Sequence, residues 1–306
     1  MPHAKPGRIE EHTFRSRALG VDKRYLVYVP DAYASDTRRY PVVYLLHGLG
    51  GDETNWARHG DLLATADRVG LQALAVLPDG DASFYVNASS SRDYGACLAE
   101  RPAFSAGEPS ASYCVKTPRY EDYLAADIVS EVDARYRTLA SRRGRGIGGL
   151  SMGGFGALVL GMKHTDLFSA VASTSGLVSL GYAGPHPYAG LASVELSSPA
   201  TLGAHYPDRV RDHLRGLFGM NPETWRAVDP VVLAASLEPG RLAIHLDCGE
   251  DDDFRFDDHA RHLHDVLASR QIAHEWGIKP GRHHFDYWKA RLPEILQFFQ
   301  RSLASP

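Results

Sequence analysis

The chain has 306 residues, of which 44% are hydrophobic and 23% charged, so it can form a large globular core. Its formal net charge of −4 is small, and without a run of lysine or arginine it is not a typical nucleic-acid-binding protein. No apolar stretch approaches membrane-spanning length and residues 1–11 lack a signal peptide's apolar centre, so we expect a cytoplasmic protein with no membrane partner unless a leader has been removed.

Alternating or continuous apolar segments predict eight strands, at residues 12–18, 24–30, 41–46, 74–77, 145–147, 168–175, 241–246 and 272–278. Apolar residues at helical spacing predict helices at residues 53–69, 120–136, 153–162, 222–237, 259–269 and 287–303. The first two strands alternate, which indicates an antiparallel pair at a sheet edge, whereas the central strands are apolar throughout. We therefore predict a single α/β domain, residues 1–306, with a mostly parallel sheet covered by helices on both faces.

Two segments, near residues 81–117 and 176–221, interrupt this alternation of strands and helices. The first is rich in Ser, Gly and Ala, and the second is rich in prolines and aromatic residues. Long loops in compact domains are usually functional or disordered, so we predict two insertions over the site.

Three cysteines are present, and their odd number and low density argue against a disulfide scaffold. Cys97 and Cys114 flank one loop and are either bridged, which would favour a secreted or periplasmic protein, or, as the simpler interpretation, two unpaired thiols. Cys248 ends an apolar run and is expected to be a buried thiol.

A G-x-S-x-G pentapeptide at residues 149–153 is centred on Ser151. A serine at a tight strand-to-helix turn needs small neighbours, which Gly149 and Gly153 supply, and an apolar helix is predicted directly after it. The pentapeptide alone is weak support for a nucleophile, because a chain with 29 glycines could carry it in an ordinary loop.

Two later strand ends carry the groups that a nucleophilic serine requires. The carboxyl ends of parallel strands are where functional side chains collect, and an acidic turn at residues 250–253 and then His283 follow two such ends. The order serine, acid, histidine is that of an α/β-hydrolase. His283 is assigned as the base that takes the proton of Ser151, and the adjacent His284 points elsewhere.

A carboxylate must hold the imidazole and stabilise the imidazolium. We assign Asp252 to this role, with Glu250, Asp251 and Asp253 as alternatives. Two main-chain amides must stabilise the oxyanion, and the candidates are Met152, directly after the nucleophile, and Leu49 in the glycine-rich segment 47–51.

Together these segments resemble the esterase D family of α/β-hydrolases, which includes S-formylglutathione hydrolases, feruloyl and acetyl-xylan esterases and mycolyltransferases. The resemblance rests on residues 44–51, 78–80, 149–154, 249–254 and 281–283. It implies the triad Ser151, Asp252 and His283 and the oxyanion donors Leu49 and Met152. It also implies a serine carboxylesterase that acts on a small-molecule ester, forms an acyl-enzyme and needs no cofactor.

Alternatives to a carboxylesterase are an acyltransferase on the same triad, an S-formylglutathione hydrolase and, from another class, a binding protein without turnover. Phe155 stands where the S-formylglutathione hydrolase branch usually has histidine, which disfavours the glutathione substrate. The sequence does not determine the oligomeric state, and a homo-oligomer is one option.

Aromatic residues in and around the insertions are candidates for an acyl or aryl pocket, with ordinary packing as the alternative: Phe84, Tyr85, Tyr182, Tyr188, Tyr206 and Trp225. Three histidines, His259, His262 and His264, lie near the acidic residues 251–258. Zinc needs three or four convergent ligands and no motif fixes them here, so no metal site is predicted.

Overall fold

The computed structural model of the protein describes residues 6–88, 94–99, 114–202 and 206–306. Its strands are β1 (Arg8–Arg15), β2 (Asp22–Val29), β3 (Val42–Leu46), β4 (Leu74–Pro78), β5 (Arg145–Leu150), β6 (Ala170–Thr174), β7 (Ala243–Gly249) and β8 (Glu275–Lys279). They form one sheet in the order β1-β2-β4-β3-β5-β6-β7-β8. β1 and β2 are antiparallel to their neighbours and the other six strands are parallel, which confirms the predicted fold class.

Helices connect the strands and cover both faces of the sheet. They are α1 (Ala32–Ser35), α2 (Asn55–Arg58), α3 (Leu62–Val69), α4 (Tyr94–Ala99), α5 (Tyr120–Asp122, then Tyr123–Ile128 in π geometry, then Val129–Arg135), α6 (Met152–Lys163), α7 (Asp208–Phe218), α8 (Pro222–Arg226), α9 (Pro230–Ala234), α10 (Phe256–Ser269) and α11 (Phe285–Ser302). No helix in the described ranges has both the length and the apolarity needed to cross a membrane.

The sheet separates two apolar cores, because successive side chains of a strand point to opposite faces. In β3, Val43 and Leu45 join the core formed with α2, α3 and α11, whereas Val42, Tyr44 and Leu46 join the core formed with α5, α6 and α10. Burial on both sides explains why β3 is apolar throughout its length.

Two predicted helices are each broken in the structure. The segment 53–69 forms α2 and α3, separated by a turn in which Asp61 has a φ of 57° that cannot continue a helix. The segment 222–237 forms α8 and α9. Pro230 has no N–H to donate within a helix, and the Asp229 carboxylate caps the new helix by accepting the Val231 N–H at 3.1 Å.

The described residues of both predicted insertions lie outside the sheet, and the single-domain assignment stays a prediction. Most of 89–113 is outside the described residues, but Cys97 and Cys114 are joined by a disulfide, so the interpretation as two unpaired thiols is wrong. Cys248 is buried and free, as expected. The second insertion contains α7, which was not predicted because its polar face dominates its composition.

Candidate active site

Ser151 lies at the sharp turn between β5 and α6. Its φ of 53° and ψ of −117° are strained for a residue with a side chain, and such strain is typical of functional sites. A Cβ on Gly153 would lie 2.5 Å from the carbonyl oxygen of Leu46, and one on Gly149 would lie 2.5 Å from Gly153. Both positions therefore require glycine, because strand and helix pass too close for any side chain.

The structure brings His283 to this serine. Its Nε2 lies 2.8 Å from the Ser151 Oγ, and its Nδ1 lies 2.7 Å from Oδ2 of Asp252. The serine follows β5, the carboxylate follows β7 and the histidine follows β8, so the three groups meet at the carboxyl edge of the sheet. This geometry suits proton transfer from the hydroxyl to the imidazole.

Asp252 is held by the turn that precedes α10. Its Oδ1 accepts the backbone N–H groups of Phe254 at 3.0 Å and Phe256 at 3.4 Å, while Oδ2 faces His283 and accepts the Cys248 thiol at 3.5 Å. The side chain is fully buried. The other acidic candidates of this turn do not replace it: Asp253 pairs with Arg282, and no described contact joins Glu250 or Asp251 to the histidine.

Three aromatic rings enclose the imidazole of His283. Phe254, Phe256 and Trp288 lie 4.8, 5.4 and 5.0 Å from it between ring centroids, each nearly perpendicular to its plane. These contacts leave the His283 side chain 8% exposed and fix its orientation between the hydroxyl and the carboxylate. By contrast, the His284 side chain is 68% exposed, in agreement with its predicted separation from the serine.

His47 holds the glycine-rich segment after β3. Its Nε2 accepts the Gly80 N–H at 2.9 Å, so its Nδ1 carries the proton and donates it to the Gly48 carbonyl, also at 2.9 Å. The carbonyl of Gly48 and the N–H of Leu49 belong to one planar peptide and point in opposite directions. Fixing the carbonyl on His47 thus sets the direction of the Leu49 amide.

A buried charge cluster lies behind this segment. Lys23 is fully buried and pairs with Asp79 and, at 2.9 Å, with Asp81. Burial and then the charge of Asp79 raise the pKa of Asp81 to about 6, whereas Lys23 keeps the pKa of Asp79 below its usual range despite burial. Because Asp79 precedes Gly80, the cluster anchors the turn that contacts His47.

A cavity of about 800 Å³ opens over Ser151, and Leu49, Met152, Phe84 and His283 are among its lining residues. Of the six aromatic residues predicted as pocket candidates, Phe84 and Tyr206 are among its lining residues. Tyr188 instead donates its hydroxyl to Asp265 at 2.7 Å. Tyr85 is fully buried with its hydroxyl on the His47 carbonyl, and Tyr182 donates to the Pro185 carbonyl. Trp225 lines a separate cavity of about 240 Å³.

Other apolar residues of the cavity wall were not singled out from the sequence as substrate-binding: Leu177, Val210, Phe254, Phe256, Phe285 and Trp288. Trp288 is buried as well as lining the cavity. Its place near the start of the helix after His283 is the sequence signal that could have identified it.

The predicted absence of a histidine metal site remains untested. Within the described ranges, the group with ligand atoms close enough for a metal ion consists of His186, Asp257 and Asp258. His186 Nδ1 donates to the Asp258 carboxylate at 2.7 Å, and His262 contacts the Ser179 hydroxyl at 3.0 Å. His259, His262 and His264 are not members of that group.

The sequence matches the family model Esterase, described as "Putative esterase", over residues 16–299. It is 33% identical over 175 residues to Esterase Rv1288 of Mycobacterium tuberculosis, a match that covers 56% of this chain and 33% of the relative. The chain thus spans about a third of the length of that curated relative. It is also 22% identical over 294 residues to an acetyl esterase of Caldicellulosiruptor saccharolyticus, covering 96% and 94% of the two chains.

The structure is similar to that of an S-formylglutathione hydrolase from Agrobacterium tumefaciens, with a TM-score of 0.73 and 18% identity over 98% of this chain and 96% of the other. At that identity the similarity establishes the fold alone. The expected α/β-hydrolase fold is confirmed.

Proposed function

Because the chain belongs to the Esterase family, we propose that it is a serine carboxylesterase that hydrolyses acyl esters through an acyl-enzyme on Ser151. The observation that supports this most strongly is the continuous hydrogen-bonded row from the Ser151 hydroxyl through His283 to Asp252, at 2.8 and 2.7 Å. Neutral imidazole is a base strong enough to accept the serine proton as the oxygen attacks an acyl carbon.

In the first half of the reaction, His283 Nε2 takes the proton of Ser151 while Oγ bonds to the ester carbonyl carbon. The carbonyl oxygen becomes negatively charged, and the amides of Leu49 and Met152 would donate to it. Each such donor contributes roughly 2.7 to 4 kcal/mol to transition-state stabilisation. Asp252 stabilises the imidazolium, which then protonates the alcohol oxygen as the C–O bond breaks.

In the second half, water replaces the alcohol. His283 takes a proton from this water, whose oxygen attacks the acyl carbon, and returns the proton to Ser151 as the carboxylic acid leaves. An acyltransferase would differ only in admitting an alcohol in place of water. Product analysis with and without an added alcohol distinguishes the two.

The test is the variant Ser151→Ala, matched by Ser269→Ala on the exposed end of α10. We expect Ser151→Ala to lose hydrolysis of p-nitrophenyl butyrate and labelling by an organophosphonate while its circular dichroism is unchanged, and Ser269→Ala to keep both. Full activity of Ser151→Ala would exclude the mechanism. Methyl ferulate and S-formylglutathione tested alongside would define the acyl and alcohol specificity.

We also propose that the protein works in an oxidising compartment, in place of the expected cytoplasm. The disulfide between Cys97 and Cys114 supports this, since cytosolic thiols are kept reduced. Thiol labelling of the protein isolated from its natural source, with and without prior reduction, tests it: two thiols protected until reduction are expected.

A further inference from the structure

The charged residues around the active-site cavity differ in sign from the protein as a whole. The chain has a formal net charge of −4, yet three of the four Lys, Arg, Asp and Glu side chains that line the cavity are cations: Arg58, Arg209 and Lys289, with Asp286 as the anion. A cleft lined by charges of one sign attracts ligands of the opposite sign.

Arg58 is the cation with the fewest competing contacts. It lies at the end of α2 and is exposed, and its guanidinium makes no hydrogen bond or ion pair with any part of the chain that the structure describes. Lys289, on the first turns of α11, lies 3.3 Å from Asp61, but both side chains are about half exposed. Exposed pairs contribute little, so Lys289 can exchange Asp61 for a ligand.

Both cations lie near the start of α11, the helix that follows His283. The imidazolium of His283 must deliver its proton to the alcohol oxygen, so this part of the ester lies beside His283. Lys289 is on the helix that begins two residues after His283, and the ring of His59, next to Arg58, contacts Phe285 at the start of that helix at 5.1 Å between centroids. α2 and α11 therefore form one wall of the cavity, which carries Arg58 and Lys289 as cations and Asp286 as an anion.

We propose that this wall, Arg58 and Lys289, recognises a negatively charged group, a carboxylate or a phosphate, on the alcohol part of the substrate. The proposal rests on the esterase function and specifies its substrate class. The cations act on binding of the alcohol portion and take no part in proton transfer. Exposed cations can bind either a carboxylate or a phosphate. The electrostatic attraction is stronger for a dianion than for a monoanion.

The test uses butyrate esters of 4-(hydroxymethyl)benzoate and 4-(hydroxymethyl)benzamide, which differ in charge but hardly in shape or in the reactivity of the ester. The ester of 4-(hydroxymethyl)phenylphosphonate forms the third arm. We expect kcat/KM to favour the carboxylate over the amide in the wild type, and the phosphonate at least as strongly. Arg58→Gln and Lys289→Gln should each reduce the carboxylate-to-amide ratio roughly two- to fivefold, because an exposed charge pair contributes up to about 1 kcal/mol and 1.4 kcal/mol is tenfold.

Arg143→Gln is the matched control. Arg143 is exposed just before β5, at the edge of the sheet opposite Ser151, so this variant changes the net charge equally without touching the cavity. It should keep the wild-type ratio, and 0.5 M NaCl should lower that ratio in the wild type. Equal rates for the carboxylate and amide esters in the wild type, or an equal loss in Arg143→Gln, would overturn the proposal.

A binding measurement separates this inference from the esterase function. Calorimetric titration of Ser151→Ala with the two free alcohols needs no turnover. Tighter binding of the benzoate than of the benzamide, reduced by Arg58→Gln, supports the role of this wall even if neither ester is hydrolysed. Equal binding together with hydrolysis of the amide ester would refute the wall and leave the esterase function standing.

Discussion

Replacing Asp252 by asparagine tests the proposed triad with little change of shape. Asp252 Oδ1 accepts two backbone N–H groups, from Phe254 and Phe256, so the asparagine must keep its oxygen on that side. Its NH2 group then faces His283 Nδ1, 2.7 Å away, and forces this nitrogen to be the acceptor. The ring proton moves to Nε2, which can no longer accept the proton of Ser151.

The alternative orientation of asparagine would restore the correct tautomer, but it would place NH2 against two N–H donors. Leaving those buried donors unpaired costs about 1 to 3 kcal/mol each, so the inactive orientation dominates. We expect kcat to fall by about 10⁴-fold, the loss found for the same change in another serine hydrolase and equivalent to about 5 kcal/mol of activation free energy.

The assay is kcat/KM for p-nitrophenyl butyrate, with the free energy of unfolding measured in urea. Asp253→Asn is the control. It removes the same charge at the next residue, whose side chain pairs with Arg282 rather than with His283. We expect this control to stay within about threefold of the wild type. An Asp252→Asn variant with more than a tenth of wild-type activity would refute the assigned role.

Three further changes test the surrounding structure. Gly153→Ala places a methyl group 2.5 Å from a backbone oxygen of β3, so kcat/KM should fall at least about 100-fold, whereas Gly216→Ala, whose Cβ meets nothing within 4 Å, should not alter it. Burial and then the charge of Asp79 raise the pKa of Glu53 from 4.5 to about 7. The folded state therefore binds the carboxyl proton more tightly than the unfolded state does. The stability that this binding gives is fully present below pH 4.5 and is lost as the pH rises through 7. Urea unfolding should therefore show Glu53→Gln to be about 1 to 3 kcal/mol more stable than the wild type at pH 8.5 and nearly equal to it at pH 4.5. Cys97→Ser opens a loop closed by cysteines 17 residues apart and should lower the free energy of unfolding by up to about 3 kcal/mol, with reduced wild type matching it.

The sheet and the meeting of Ser151, Asp252 and His283 could be anticipated because both follow from local patterns. Apolar runs identify buried strands, and the ends of parallel strands share one edge, so three distant polar residues are placed together without knowledge of the loops. The choice of Asp252 left the other acids of 250–253 open as alternatives, because turn geometry alone decides which carboxylate faces the imidazole.

The cavity wall could not be predicted in the same way. Tyr85 and Tyr182 lie in the insertions with Phe84, but an aromatic residue in a loop packs equally well into the core or against a ligand. Here the hydroxyls of Tyr85 and Tyr182 donate to backbone carbonyls away from the cavity.

Helix breaks were missed for a related reason. The apolar spacing of 53–69 continues across a turn that depends on a single residue, Asp61, in the left-handed region.

The position of β8 at the end of the sheet has a consequence for how the protein fails under stress. Among the described residues this strand pairs with β7 alone, and the His283 loop follows directly after it. Edge elements detach at lower free energies than central ones, so partial fraying there would withdraw the imidazole while the interior stays intact. Loss of turnover should therefore precede loss of tertiary structure during denaturation, which makes turnover the more sensitive gauge of damage to this molecule.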